Sequence, residues 1–240
     1  MRRIIGVLSA ALITAAVLIG GCAKPASPPT PTALTAAEIF SRGGDKMQTI
    51  NSFKFVLDQT GGGTPITMGI EMNKASGDVV RPDKLQMTIN GTAMGMSLEV
   101  KLVTVGDKTL MTNPLSGKWE VPPDQFKVLA VFDPGTGIAA IMKQVTSPTK
   151  LADEQMGGVL CYHLKGSLLS DTLRPIMGSA AQGVAISSEA WIGKDDFLVR
   201  HIKLEGKITE TEKEGIVRTL DLSDFNEVIT IQLPEAGAAA

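Results

Sequence analysis

The chain has 240 residues, 43% of them hydrophobic but only 4% aromatic, and carries a formal net charge of −2. That length buries a sizeable core, which the composition lines with aliphatic side chains and methionine. No Lys/Arg cluster interleaves with aromatic residues, which excludes nucleic acid as an expected partner.

Arg2 and Arg3 precede an apolar run from Ile4 to Gly20, a secretory-leader layout. The run ends in Leu18-Ile19-Gly20-Gly21-Cys22, which resembles a bacterial lipobox: an aliphatic residue, two small residues, then a cysteine. In lipoproteins of that type the cysteine becomes the N-terminus and carries acyl chains, palmitate among them. Each buried CH₂ contributes about 0.8 kcal/mol, so several chains hold a protein on a bilayer. Residues 1–21 are therefore assigned as the signal peptide, and Cys22 as a lipid anchor on the extracytoplasmic face of the cell membrane. With Cys22 acylated, only Cys161 remains, and no intrachain disulfide can form. Alternation around Cys161 marks it as a structural thiol.

Residues 22–34 contain Pro25, Pro28, Pro29 and Pro31, a density that favours an extended tether. About a dozen residues at about 3.1 Å each span roughly 40 Å. Residues 35–235 are expected to form one domain, and 236–240 a disordered tail.

The domain opens on a helix predicted to end near Ile50. Thr35 and Glu38 form a capping box, and Leu34 and Ile39 are placed for a hydrophobic staple. Ile39, Phe40 and Met47 supply its apolar stripe, interrupted by Gly43-Gly44. From Ser52 the period changes to two. Phe53, Phe55 and Leu57 alternate with polar residues. So do Ile66, Met68, Ile70 and Met72; then Leu85, Met87 and Ile89; then Met94, Met96, Leu98, Val100 and Leu102. Gly61-Gly62-Gly63, Asn90-Gly91 and Gly106-Asp107 are the turn signals. Consecutive strands joined by short turns imply an antiparallel meander.

Pro122-Pro123 stops the sheet. Helical pieces are predicted near Gln125–Phe132 and Gly137–Val145, the second with Ile138, Ile141, Met142 and Val145 on one stripe. A strand at Val159–Lys165 precedes a short helix capped by Ser170 and ended by Gly178. Val184–Ile192, Phe197–Lys207, Ile216–Leu222 and Val228–Leu233 complete the strands. The fold class is α+β: a large curved antiparallel sheet, a half-barrel, with a few helices covering its concave face.

Chemistry has little to work with. His163 and His201 lack metal-ligand spacing, and neither a nucleophile elbow nor a phosphate-binding loop occurs. The adjacent carboxylates Asp153-Glu154 and Asp195-Asp196 point apart on a strand and are solvated on a turn. No catalytic residue, metal or cofactor is assigned, and no enzyme activity is expected.

The methionines on the dry faces admit two readings. In one, they fill gaps in a solid core. In the other, the dry face walls a cavity for an apolar guest, whose uneven shape flexible, polarizable methionine accommodates. Periodicity by itself favours the first.

Four segments shift that balance. Gly77–Met87 (GDVVRPDKLQM) leads into Leu98–Glu120. Ala190–Gly206 (AWIGKDDFLVRHIKLEG) and Leu222–Pro234 (LSDFNEVITIQLP) follow. In this order, behind a lipobox and a proline-rich spacer, they resemble the LppX/LprG/LprA/LprF lipoprotein family. The resemblance implies a half-barrel similar to the LolA/LolB carriers, holding acyl chains of a lipid or glycolipid and moving them within the envelope. It makes Met68, Ile70, Met72, Leu85, Met87, Ile89, Met94, Met96, Leu98, Val100, Ile138, Ile141 and Met142 cavity lining. The two helical pieces become a cover, and Trp191 and Phe197 become braces of the sheet. A monomer working with an envelope lipid transporter follows from the same reading, although no Arg or aromatic cluster marks a head-group pocket. The alternatives are an envelope interaction protein with a solid core, or a LolB-like receiver of lipoproteins.

Overall fold

The computed structural model describes residues 33–66, 69–122 and 128–239. The expected leader, the Cys22 anchor, most of the tether, Met68 and the first part of the predicted 125–132 helix lie outside the described residues.

Helix α1 (Ala36–Gln48) begins as its sequence dictates. The Glu38 amide donates to Thr35 Oγ1 at 3.2 Å, and the Thr35 amide donates back to Glu38 Oε2 at 2.8 Å. The Thr35 amide and hydroxyl, which both donate to Glu38 Oε2, hold that carboxyl below its ordinary range. Ile39, Phe40 and Met47 are buried against the sheet. So are the two glycines, and their role is packing. A Cβ on Gly43 would lie 2.9 Å from Ile192 Cδ1, and one on Gly44 would lie 2.7 Å from the Ala139 carbonyl oxygen. The missing side chains let α1 lie close to the sheet and to its neighbouring helix.

Among the described residues thirteen strands form one open antiparallel sheet. They are β1 (Ser52–Thr60), β2 (Thr64–Pro65), β3 (Glu71–Val80), β4 (Lys84–Ala93), β5 (Met96–Val105), β6 (Lys108–Thr112) and β7 (Trp119–Glu120). There follow β8 (Thr146–Lys150), β9 (Glu154–Met156), β10 (Val159–Leu169), β11 (Ala185–Gly193), β12 (Val199–Glu205) and β13 (Val217–Ser223). The order is β7-β6-β5-β4-β3-β1-β13-β12-β11-β10-β8, with β2 on β3 and β9 on β10. Two meanders thus meet at a central seam where β1 pairs with β13, Phe55 opposite Leu222 and Leu57 opposite Leu220.

This order places β7 and β8 on opposite edges, so the chain between them crosses the sheet. It does so on the concave side. A 3-10 turn, Val128–Phe132, sets Phe132 against Phe53 and Phe55 of central β1, with ring centroids 5.3 and 4.8 Å apart. Helix α2 (Ile138–Met142) follows and packs beside α1. It is shorter than the Gly137–Val145 expectation. A third helix, α3 (Arg174–Met177), follows a 3-10 turn at Ser170–Leu173 and stops at Gly178 (φ 75°) as expected. Ser170 does not cap it; its hydroxyl donates to the Ala181 carbonyl and accepts from the Val184 amide, closing the loop that carries α3.

Several expectations for the strands are corrected. The Ile66–Met72 run is not one strand: the chain turns through Gly69 (φ 68°), and β3 starts at Glu71. Asn90-Gly91 lies inside β4, where the glycine admits Ile70, whose Cγ2 would sit 3.1 Å from an added Cβ. The hairpin turn comes later, at Met94-Gly95, both with positive φ, the geometry that matches strand twist. Val228–Leu233 alternates like a strand but joins no ladder. It lies along the convex face, where Ile229, Ile231 and Leu233 pack with Val80, Val103, Val105, Leu110 and Trp119. The expected free tail 236–240 is held as far as Ala239: the Trp119 amide donates to the Ala238 carbonyl at 3.0 Å, and Lys118 bridges Ala239. An edge strand is thereby covered.

The convex face also carries both histidines. His163 stacks on Trp191 at 4.1 Å, and His201 meets the same ring edge-on at 4.8 Å. Cys161 beside them is fully buried, and burial pushes its thiol pKa up.

Candidate functional site

Two apolar clefts lie between the concave face and the crossing segment. The larger, about 390 Å³, is walled by Phe55, Leu57, Met72, Ala75 and Met87 of the sheet, with Val131 and Phe132 above and Pro175–Gly178 at one end. The smaller, about 130 Å³, runs between Ile138, Ile141, Met142 and Val145 on one side and Ala190, Ile202 and Leu204 on the other. They share Leu57, Val131, Ile176, Met177, Arg218 and Leu220 on their walls, beside the β1–β13 seam. The larger volume alone falls within the range of small-molecule sites, about 300–1,000 Å³.

Topology explains why the hollow sits there. Few bulky aromatics are available to fill the concavity, and the crossing segment touches the sheet where Phe132 and α2 reach it. Between these contacts the clefts are bounded below by Leu57 of β1, Ile202 and Leu204 of β12 and Leu220 of β13. A broader hollow of about 560 Å³ on the convex face mixes Lys54, Asp78, Gln86 and Lys101 with Val56, Val103 and Trp119, and is open to water.

The residues expected to line a cavity divide into groups. Met72 and Met87 line the larger cleft; Ile138, Ile141 and Met142 line the smaller. Ile70, Leu85, Ile89 and Val100 face inward but are fully buried in packed core, where the turn carrying Ile70 folds over Gly91. Leu98 is half-buried at the margin of that core. Met94 and Met96 line neither cleft. They sit at the β4–β5 hairpin tip, 97% and 64% exposed. Met68 is outside the described residues.

Sequence reasoning passed over the opposite wall, from Ile202 and Leu204 to Leu220, and the end formed by Ile176 and Met177. It also passed over Arg218, although VRTLDLS places that residue in phase with Leu220 and Leu222. Arg218 lines both clefts and is buried. Its Nη2 lies 2.5 Å from Glu212 Oε1, and Nη1 donates to the Gly206 carbonyl at 3.2 Å. Burial lowers its pKa, and the Glu212 charge opposes that shift. Among the described residues no group of three His, Cys, Asp or Glu side chains is arranged to hold a metal ion.

An open, curved antiparallel sheet, crossed by a cover with apolar clefts beneath it, defines a half-barrel. The sequence agrees with this class: residues 35–231 match the family model described as LppX_LprAFG lipoprotein, and the chain belongs to that family. It is 23% identical to the lipoarabinomannan carrier protein LprG of Mycolicibacterium smegmatis, over 95% of each chain. It is 26% identical to the protein of the same name from Mycobacteroides abscessus, over 98% of this chain and 99% of that one. The fold is that of LprF from Mycobacterium bovis (TM-score 0.66, 15% identity, 84% of this chain and 97% of that one). LppX from Mycobacterium tuberculosis is also similar (TM-score 0.59, 16% identity, 82% of this chain and 98% of that one).

Proposed function

We propose that this protein is a membrane-anchored lipoprotein, held through acylated Cys22 at the extracytoplasmic face, that takes acyl chains of a lipid or glycolipid into the concave cleft. It carries or presents that lipid within the cell envelope, without catalysing a reaction. The observation that carries this reading is the pair of apolar clefts beneath the cover, which share Leu57 and Leu220 on their walls. Moving an acyl chain into them removes apolar surface from water, at about 25 cal/mol per Å². The carrier names of the relatives support the same reading. The proline-rich tether keeps the domain within reach of its membrane.

Native mass spectrometry of the Cys22→Ala protein, purified from a lipid-producing bacterium, tests the proposal. Acyl lipid at near-stoichiometric occupancy is the expected result. A protein that remains empty after incubation with lipid would overturn it in favour of an envelope interaction protein.

A further inference from the structure

The smaller hollow has Ser188, Glu189 and Thr219 on its wall, and the larger is hydrocarbon except at Gln59, Thr64 and Arg218. Of these, β13 presents Arg218 and β1 presents Gln59, paired opposite each other across the central seam. They are only 6% and 7% exposed. A charge in such a place is costly unless it is balanced, and Glu212 balances it. Glu212 is itself held by the Ile208 and Thr209 amides, which donate to Oε2 at 2.7 and 3.2 Å. Donors are nevertheless left over. Among the described residues, buried Arg218 Nε has no acceptor. Gln59 accepts from the Thr64 hydroxyl at 2.9 Å through its oxygen, and its NH₂ group donates to no described residue.

We infer that Arg218 and Gln59 form a polar subsite inside the apolar cleft that receives the ester carbonyl of an acyl lipid. The charge balance selects this chemistry. A free carboxylate or phosphate would bring a second anion beside Glu212, with no cation left to pair with it. A hydrocarbon would leave buried donors unsatisfied. An ester carbonyl accepts from both donors and adds no net charge. The ligand class is therefore an ester-linked acyl lipid, in preference to a free fatty acid or an ether-linked alkyl lipid. This rests on the cleft being the lipid site.

The test uses the full chain carrying Cys22→Ala and three ligands with the same sixteen-carbon tail: 1-monopalmitoylglycerol, its ether analogue 1-O-hexadecylglycerol, and palmitate. Titration calorimetry below the micellar concentrations should give an affinity for the ester about tenfold above that for the ether, as expected for one hydrogen bond from a charged group. Palmitate should also bind more weakly than the ester. Gln59→Leu should bring the ester-to-ether ratio towards one, and so should the paired change Arg218→Met with Glu212→Leu, which removes both charges together. Equal affinities for ester and ether in the unaltered cleft, or tighter binding of palmitate, would overturn the subsite while leaving the lipid cleft intact. Failure of all three ligands to bind would overturn the cleft reading itself.

Discussion

Arg81 holds the Phe132 carbonyl with two nitrogens, Nε at 3.1 Å and Nη2 at 2.9 Å. Its remaining nitrogen, Nη1, donates to the Met47 and Ile50 carbonyls at 2.7 and 2.6 Å. One side chain from the β3–β4 turn thus fastens the end of α1 and the crossing segment to the sheet. Burial lowers its pKa, and the charge of Asp133 opposes that shift. Arg81→Met should destabilise the fold by about 2–4 kcal/mol, since half-buried carbonyls lose charged donors. Denaturant titration of the two proteins measures the difference.

Gly44→Ala pits helix propensity against packing. Alanine is better than glycine in a helix interior by about 1 kcal/mol. Here the new methyl would meet the Ala139 backbone, which cannot rotate away. A net loss of about 1–3 kcal/mol is expected, with α2 displaced. Gly43→Ala should cost less, because its Cβ meets the flexible ends of Ile192 and Met142. Thermal unfolding of the pair ranks them.

Leu220 lines both clefts, and Met96 stands at the hairpin tip. Leu220→Trp should therefore lower the amount of co-purified lipid several-fold, whereas Met96→Trp should leave both lipid content and stability unchanged. Native mass spectrometry with a melting curve reads both quantities. Equal lipid loss in the two variants would place the guest elsewhere.

Glu189 supplies a pH prediction. Burial raises its carboxyl, but the hydrogen bond with His163 at 2.8 Å and the charges of Lys203, His163 and Lys165 outweigh that, so the net shift is downward from 4.5. A carboxylate depressed in the folded state stabilises fully above its unfolded pKa. That contribution is lost as pH falls through the lower folded value. Glu189→Gln should therefore be less stable than the parent at neutral pH and lose less stability below pH ~4.5. Urea unfolding at several pH values checks the sign.

Residues whose burial follows their sequence period were legible in advance. The capping box at Thr35, the alternation of Phe53, Phe55 and Leu57, and the α2 stripe all match the structure, because each pattern has a cover directly above it. Where cover and pattern part, the reading fails. Met94 and Met96 keep the rhythm of β5 out to the exposed hairpin tip. Ile229, Ile231 and Leu233 keep a strand rhythm on a segment that packs through side chains alone. β3 is missed for the opposite reason: EMNKASGDVV has two polar faces over much of its length, and its neighbours on either side supply the pairing. The cleft was half legible, since its α2 and β3–β4 walls are methionine-marked. Its β12–β13 wall carries ordinary aliphatic residues and one buried arginine, which only the charge balance with Glu212 explains.

The crossing segment leaves one edge of the sheet at β7 and returns to the other at β8. A strap buckled at both ends bows outward; it does not swing free like a door. On the proposed lipid reading, room for a bulkier guest comes from slack at the Asp133–Gly137 turn, and lengthening that turn should enlarge the capacity of the cleft without altering the grip on a single chain.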